Sequence, residues 1–174
     1  MPTNLEFITS LEVTTSQEET EVDNIFTSKY NIYKITFADF KTVDSTHDNI
    51  NLRVIDDGGT LDADNVYDYA VTELKSDTSY SDNKNENFGR IDRLMMIDES
   101  PDAFNTTLYV YNPQISSAFT MFTWQGAGRF SGASRGFKGI AAHKVAEAVR
   151  GIKIFCVNSG RPYDTGKIAV YGVL

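Results

Sequence analysis

The sequence predicts an all-β protein, an antiparallel β-sandwich of the jelly-roll kind. Three observations carry that expectation. Short segments alternating apolar with polar residues recur roughly every 10 to 15 positions, with Gly, Asn, Asp or Pro between them. The closing stretch, Gly166 to Leu174, sends Ile168, Val170 and Gly172 one way and Lys167, Ala169 and Tyr171 the other, the period of a half-buried strand. Heptads and fixed-period repeats are absent from the chain.

The elements follow in order. Leu5–Ile8 and Leu11–Val13 read as short strands within an N-terminal extension or arm covering residues 1–20, ahead of a sandwich domain over 21–174. Glu21–Phe26 alternates charged with apolar residues, and Tyr30–Phe37 places Tyr33, Ile35 and Phe37 on one face. Ile50, Leu52 and Val54 alternate strictly within Ile50–Asp56; Tyr67, Tyr69, Val71 and Glu73 oppose Asp68, Ala70 and Thr72 within Val66–Leu74. Asp77–Asn87 is polar throughout and reads as a loop. Ile91–Ile97, Thr106–Tyr111, Ala118–Trp124, Gly151–Val157 and Lys167–Val173 complete the strands. Glycines and serines make 126–139 a long surface loop. Ile140–Arg150 is the one dissenting segment, because Ala141, Val145, Ala148, Val149 and Ile152 share a helical face. The pattern predicts a short helix over 140–150 closed by Gly151, with an extended crossover as the rival.

At 174 residues and 41% apolar content the chain is long enough for one domain with a full core. No apolar run approaches the roughly 20 residues of a membrane-crossing helix, and the opening residues lack a signal peptide's basic flank and apolar stretch. The lone cysteine, Cys156, lies in the apolar run Ile152–Val157 and reads as a small buried hydrophobe. Residues 1–87 carry 18 Asp/Glu and 6 Lys/Arg, while residues 88–174 carry 6 and 10, which together give the net charge of −8. That split describes either a bipolar molecule that packs against copies of itself, or a fold that interleaves its halves and cancels the polarity. An acidic chain is a poor partner for nucleic acid.

Few stretches suggest chemistry. Asp56, Asp57, Asp62, Asp64 and the nearby Asp68 supply hard oxygens of the sort calcium takes, but their spacing fits no helix–loop–helix calcium loop. Asp and Gly are equally what a hairpin connection needs, so a turn is the expectation and no metal is assigned. Gly126–Gly132 echoes a dinucleotide fingerprint without the helix that must follow it. Arg129, Arg135 and Lys138 on that Gly/Ser frame suit docking onto an acidic neighbour. The histidines, His47 and His143, stand apart from any Gly-flanked serine, and no pair of carboxylates stands out. Neither catalytic residue nor cofactor site is therefore expected. Tyr67, Tyr69, Tyr109, Tyr111 and Trp124 are candidates for a sugar-binding face, Tyr109 and Trp124 foremost, although strand aromatics are usually core.

Several motifs together resemble a known group. Val22–Ile35 runs from an apolar strand into the paired Tyr30-x-x-Tyr33; Leu52–Thr60, Tyr67–Ala70, Tyr111-Asn112-Pro113, Gly151–Ile154 and the ending Gly166–Val173 follow in order. This progression resembles virion structural proteins of tailed bacteriophages, especially marine phages, many of which end in Gly-x-Ile-x-Val-Tyr-Gly. The resemblance implies a β-sandwich present in many copies on a head or tail, with no cofactor and no catalysis. It also implies other virion proteins as partners, localisation to the virion, and a homo-oligomer, a trimer being the first expectation. The function expected is that of an accessory surface component, decorating the head or associated with tail and fibres. The rival is a carbohydrate-binding module that recognises a receptor, and a glycan-cleaving enzyme stands third.

Overall fold

The computed structural model describes residues 4–42, 48–98 and 103–174; His47 lies outside them. Twelve strands make two antiparallel sheets, and no helix occurs among the described residues. In chain order they are β1 (Leu5–Val13), β2 (Glu19–Val22), β3 (Ile32–Lys41), β4 (Asp48–Asp56), β5 (Tyr67–Lys75), β6 (Ser81–Phe88), β7 (Ile91–Ile97), β8 (Phe104–Tyr111), β9 (Thr120–Phe130), β10 (Ala133–His143), β11 (Val149–Cys156) and β12 (Thr165–Val173).

One sheet has the order β1-β12-β3-β8-β9-β10-β5-β6 and the other β2-β11-β4-β7. Without the hairpins β5–β6 and β9–β10, eight strands remain in two sets of four. Within them β1 pairs β12, β2 pairs β11, β3 pairs β8 and β4 pairs β7, as in one long hairpin folded over on itself. That nesting is the jelly roll the alternation predicted. Both hairpins join the β8 side and widen that sheet to eight strands.

Alternation along the strands decides what meets in the middle. Tyr33, Ile35 and Phe37 from β3, Ile50, Leu52 and Val54 from β4, Leu108 and Val110 from β8, Ile152 and Ile154 from β11, and Ile168 and Val170 from β12 are all buried in one core. A bulge at Asp39, which holds φ 60, resets β3 so that Phe40 also turns inward and the strand runs on to Lys41. The free edge of β7 is closed from the wide sheet: Thr106 Oγ1 donates to the Leu94 carbonyl (3.3 Å), and Trp124 Nε1 donates to the Arg93 carbonyl (3.1 Å).

Four expectations need correction. The segment assigned to an N-terminal arm is structural: β1 is the wide sheet's edge strand on β12, and β2 begins at Glu19 on β11. Asp77–Asn87 is largely the edge strand β6; its residues are polar on both faces, which is why no alternation betrays it, and polar edges resist unwanted pairing. The Gly-rich 126–139 is a hairpin, not a loop. It turns at Ser131-Gly132, both at positive φ (53° and 80°), the two-residue turn whose twist suits a hairpin. The helix over 140–150 does not form. Ile140–His143 is held between β9 and β5, Val149 begins the β11 ladder, and only 144–148 connects them. Ladders on both sides outweigh ten residues of helix propensity.

The glycines of the hairpin have a steric reason. A Cβ at Gly139 would fall inside the indole of Trp124, its register partner on β9, and one at Gly128 would come within 2.5 Å of the Phe104 ring. Gly139→Ala is therefore expected to cost about 3 kcal/mol in urea unfolding, the upper end of overpacking penalties. Gly160→Ala, in open space but at φ +78°, should cost about 1 kcal/mol through backbone strain alone. Equal losses at the two positions would refute the seating of Trp124.

Candidate functional site

The outward face of the eight-stranded sheet is the most distinctive surface of the molecule. Its residues sit in rows set by strand register. One row runs Tyr171, Lys34, Tyr109, Thr123, Ile140, Ala70; the next runs Ala169, Thr36, Thr107, Gln125, Lys138, Thr72. Tyr109 and Tyr111, two apart on β8 and half-buried, stack with centroids 6.5 Å apart and planes 25° apart; Tyr111 Oη is 3.2 Å from Thr123 Oγ1.

Three shallow depressions of about 540, 700 and 280 Å³ mark this face. Lys138 lines all three, with Leu74 and Ile140 each lining two. These two apolar side chains are 57% and 60% exposed, and Met121 is 42% exposed nearby. A single exposed leucine is ordinary, but leucine, isoleucine, methionine and two tyrosines sharing one sheet face make a patch of the sort that marks a contact surface.

The structure separates the residues proposed from the sequence. Lys138 projects outward at the junction of the depressions and has no ion-pair partner among the described residues. Arg129 is exposed at the hairpin tip, where Nη2 donates to the Gly132 carbonyl (2.7 Å). Arg135 faces inward. Its side chain is only 11% exposed, donates to Asp77 at 2.7 and 3.2 Å, and approaches the buried Glu73 at 3.8 Å. It secures the hairpin to β5 rather than a neighbour.

The aromatic set divides as well. Trp124 is 2% exposed beneath Gly139, so its ring is closed to a sugar, and Tyr67 and Tyr69 are core residues. Tyr67 Oη accepts from the Val54 amide (3.0 Å) and donates to the Asp62 carbonyl (2.9 Å), and burial pushes its pKa well above the ordinary tyrosine value. Of the candidates for glycan contact only Tyr109 and Tyr111 keep an outward ring edge. Leu74 and Ile140 escaped the sequence reading; Ile140 was concealed by the expected helix, and Leu74 ended an apparently ordinary strand.

The charge split between the two halves resolves within the molecule. Lys153 pairs with Glu19 (2.7 Å) and Glu21 (3.5 Å), Lys167 with Glu12 (3.3 Å), Lys144 with Asp68 (2.7 Å), and Arg150 grips Asp23. Each joins a cation of the second half to a carboxylate of the first. Hydrogen bonding to Arg150 holds the Asp23 carboxyl below its ordinary pKa, and Lys144 does the same for Asp68. Cys156 is buried, and desolvation pushes its thiol up to about 12.

No protein-family model and no curated protein matches the chain. A solved human SPRY domain aligns over 86% of this chain and 96% of its own at 8% identity, with a TM-score of 0.19. The similarity of the strand motifs to phage virion proteins therefore stands on those motifs alone.

Two outcomes follow from this placement. Arg135→Glu should lower unfolding free energy by about 2 kcal/mol, because it sets a third carboxylate against Glu73 and Asp77, whereas Lys138→Glu should stay within about 0.5 kcal/mol of the parent. Native protein should leave Cys156 unmodified by a disulfide reagent at pH 8, with one equivalent reacting once denaturant is added.

Proposed function

We propose that this protein is a non-enzymatic accessory component of a tailed-phage particle, acting through subunit contacts made by the outward face of its eight-stranded sheet. The observation that carries the reading is the exposure of Leu74 and Ile140 in the depressions lined by Lys138, apolar surface beside a cation that no internal carboxylate neutralises, with Met121 exposed farther along the same face. A jelly roll suits such a role, since its rigid sheets hold a flat contact face without a bound group. The motif resemblance adds the virion as the setting. Assembly as a homo-oligomer, with a trimer as the first expectation, belongs to the same reading.

Mass spectrometry of purified particles tests the setting, and absence of the protein from them removes it. The face is tested by Ile140→Glu combined with Lys138→Glu. These exposed substitutions should leave the melting temperature within about 2 °C while copy number on particles falls at least about tenfold. Undiminished incorporation would overturn the assignment of the face.

A carbohydrate-binding role is the second reading, favoured by one observation: the Tyr109–Tyr111 stack lies beside Thr107, Thr123 and Gln125 in the smallest depression. Aromatic rings next to hydrogen-bonding side chains fit the apolar and hydroxyl faces of a sugar. Glycan-array binding lost on Tyr109→Ala would support it, and a flat array would dismiss it.

A further inference from the structure

At one end of the sandwich, away from the outward face, two connections converge on a buried imidazole. Asp62 comes from the β4–β5 connection, and His143 is the last residue of β10. Glu147 comes from the β10–β11 connection. Backbone bonds hold those connections in place: the Lys144 amide donates to the Val66 carbonyl (2.8 Å), and the Asp57 amide donates to the Ala148 carbonyl (3.0 Å). Tyr67 Oη, donating to the Asp62 carbonyl, braces the same loop from below.

We propose that Asp62, His143 and Glu147 form a binding site for one divalent transition-metal ion of the zinc type. One ligand atom from each lies within 4.8 Å of the others, and the His143 side chain is fully buried. His143 Nε2 is 2.7 Å from Asp62 Oδ2 and 3.8 Å from Glu147 Oε1. Ligand atoms around a tetrahedral zinc, each about 2.1 Å from it, stand about 3.4 Å apart. The two observed separations bracket that value, so small side-chain rotations bring the three atoms into position.

The hydrogen bonding favours a cation here over a finished ion pair. In the Nε2–H tautomer the ring has a single proton to give there, and Asp62 Oδ2, 2.7 Å away, takes it. Asp62 Oδ1 is already occupied by the Asp64 amide at 2.9 Å, which aims Oδ2 at the imidazole. Glu147 then faces the same nitrogen, two-thirds covered, with no hydrogen-bond donor among the described residues. A second carboxylate has been brought to one imidazole proton that is already used. Replacing that proton with a metal gives all three side chains a partner at once. His143 Nδ1 has no partner among the described residues whichever of the two occupies Nε2.

One nitrogen and two carboxylates also select the ion. Calcium takes six to eight oxygens and rarely imidazole, whereas zinc and its neighbours accept a mixed set of three with water completing the shell.

The experiment is titration of EDTA-treated protein with Zn²⁺, Co²⁺ and Ca²⁺ by calorimetry, with thermal melting in parallel. Expected are one equivalent of Zn²⁺, weaker Co²⁺ binding with visible bands of a four- or five-coordinate site, and at least about tenfold weaker Ca²⁺. Zn²⁺ at about a hundred times its Kd should raise the melting temperature by about 5–10 °C. Glu147→Gln, at a side chain one-third exposed and free of structural hydrogen bonds, should fold like the parent and lose at least about tenfold in Zn²⁺ affinity. Asp62→Asn serves as the second variant, since His143→Gln tests folding as much as binding. Absence of Zn²⁺ binding up to about 1 mM, preference for Ca²⁺, or binding unchanged in both variants would each overturn the proposal.

Discussion

Four of the large buried rings, Trp124, Phe104, Phe40 and Tyr30, sit where a glycine leaves room for them. Facing sheets sit about 10 Å apart and interiors are close-packed, so an added methyl group at those positions has no space to enter. Gly139 seats Trp124, Gly128 seats Phe104, Gly166 seats Phe40 and Gly172 seats Tyr30. Each pair joins neighbouring strands or a strand and its flanking loop, so each fixes register as well as filling space. With Trp124 seated, its N–H reaches the Arg93 carbonyl and ties the widened sheet to the edge of the smaller one. The hairpin β9–β10 and everything docked on it, including the outward face, depends on that fit.

Buried tyrosines do for the loops what the glycines do for the strands. Tyr33 Oη accepts from the Thr27 amide at 2.6 Å and donates to the Thr27 carbonyl at 2.7 Å; Tyr67 joins Val54 to Asp62; Tyr163 meets Thr20 across 143 residues of sequence. A buried hydroxyl without a partner is costly, so each ring is stable only when its loop is in place. The Tyr33 and Tyr67 bonds are local, whereas Tyr163–Thr20 joins the two ends of the chain, as the nested pairing of first and last strands requires. Such a topology closes long loops before it gains contacts, the circumstance in which folding is slow.

Alternation made the eight jelly-roll strands legible, because a strand with one wet and one dry face writes its period into the chain. Ile168 and Val170 against Lys167 and Ala169, or Ile50, Leu52 and Val54 within β4, are read without a structure. In the two inserted hairpins β5 and the first part of β9 were legible, whereas β6 and the Gly-rich remainder of β9 with β10 were not, for opposite reasons. Strand β6 is wet on both faces, so nothing alternates; β9 and β10 replace apolar residues with glycine wherever a neighbouring ring takes the space. Glycine reads as flexibility in the sequence, and here it is a sign of crowding. The candidate residues suffered from the same blindness to three dimensions. Arg135 and Lys138 look alike in sequence, yet three positions on a strand reverse the face, and one side chain enters the core while the other meets solvent. Asp62 and His143, 81 residues apart, carry no local signal at all.

The pattern of ion pairs gives the outward face its meaning. In a chain with 24 acidic and 16 basic residues, the second-half lysines and arginines are mostly committed to carboxylates of the first half, while Lys34, Lys84 and Lys138 have no ion-pair partner among the described residues. Exposed pairs of this sort add little stability individually, but they set which strand lies beside which, since a register slip would bring like charges together. Lys138 departs from that economy. It stands among threonines, a glutamine and exposed aliphatic side chains, with Asp82 and Lys84 of β6 lining one of the same depressions. A strand carrying only short polar residues there would have satisfied the fold equally well. Apolar surface kept in water costs solubility, and a cation kept unpaired in an acidic protein forgoes an available partner. Both costs fall on the same few residues, which is why the proposed subunit contact is placed there and why a partner that is apolar with an acidic group would suit it.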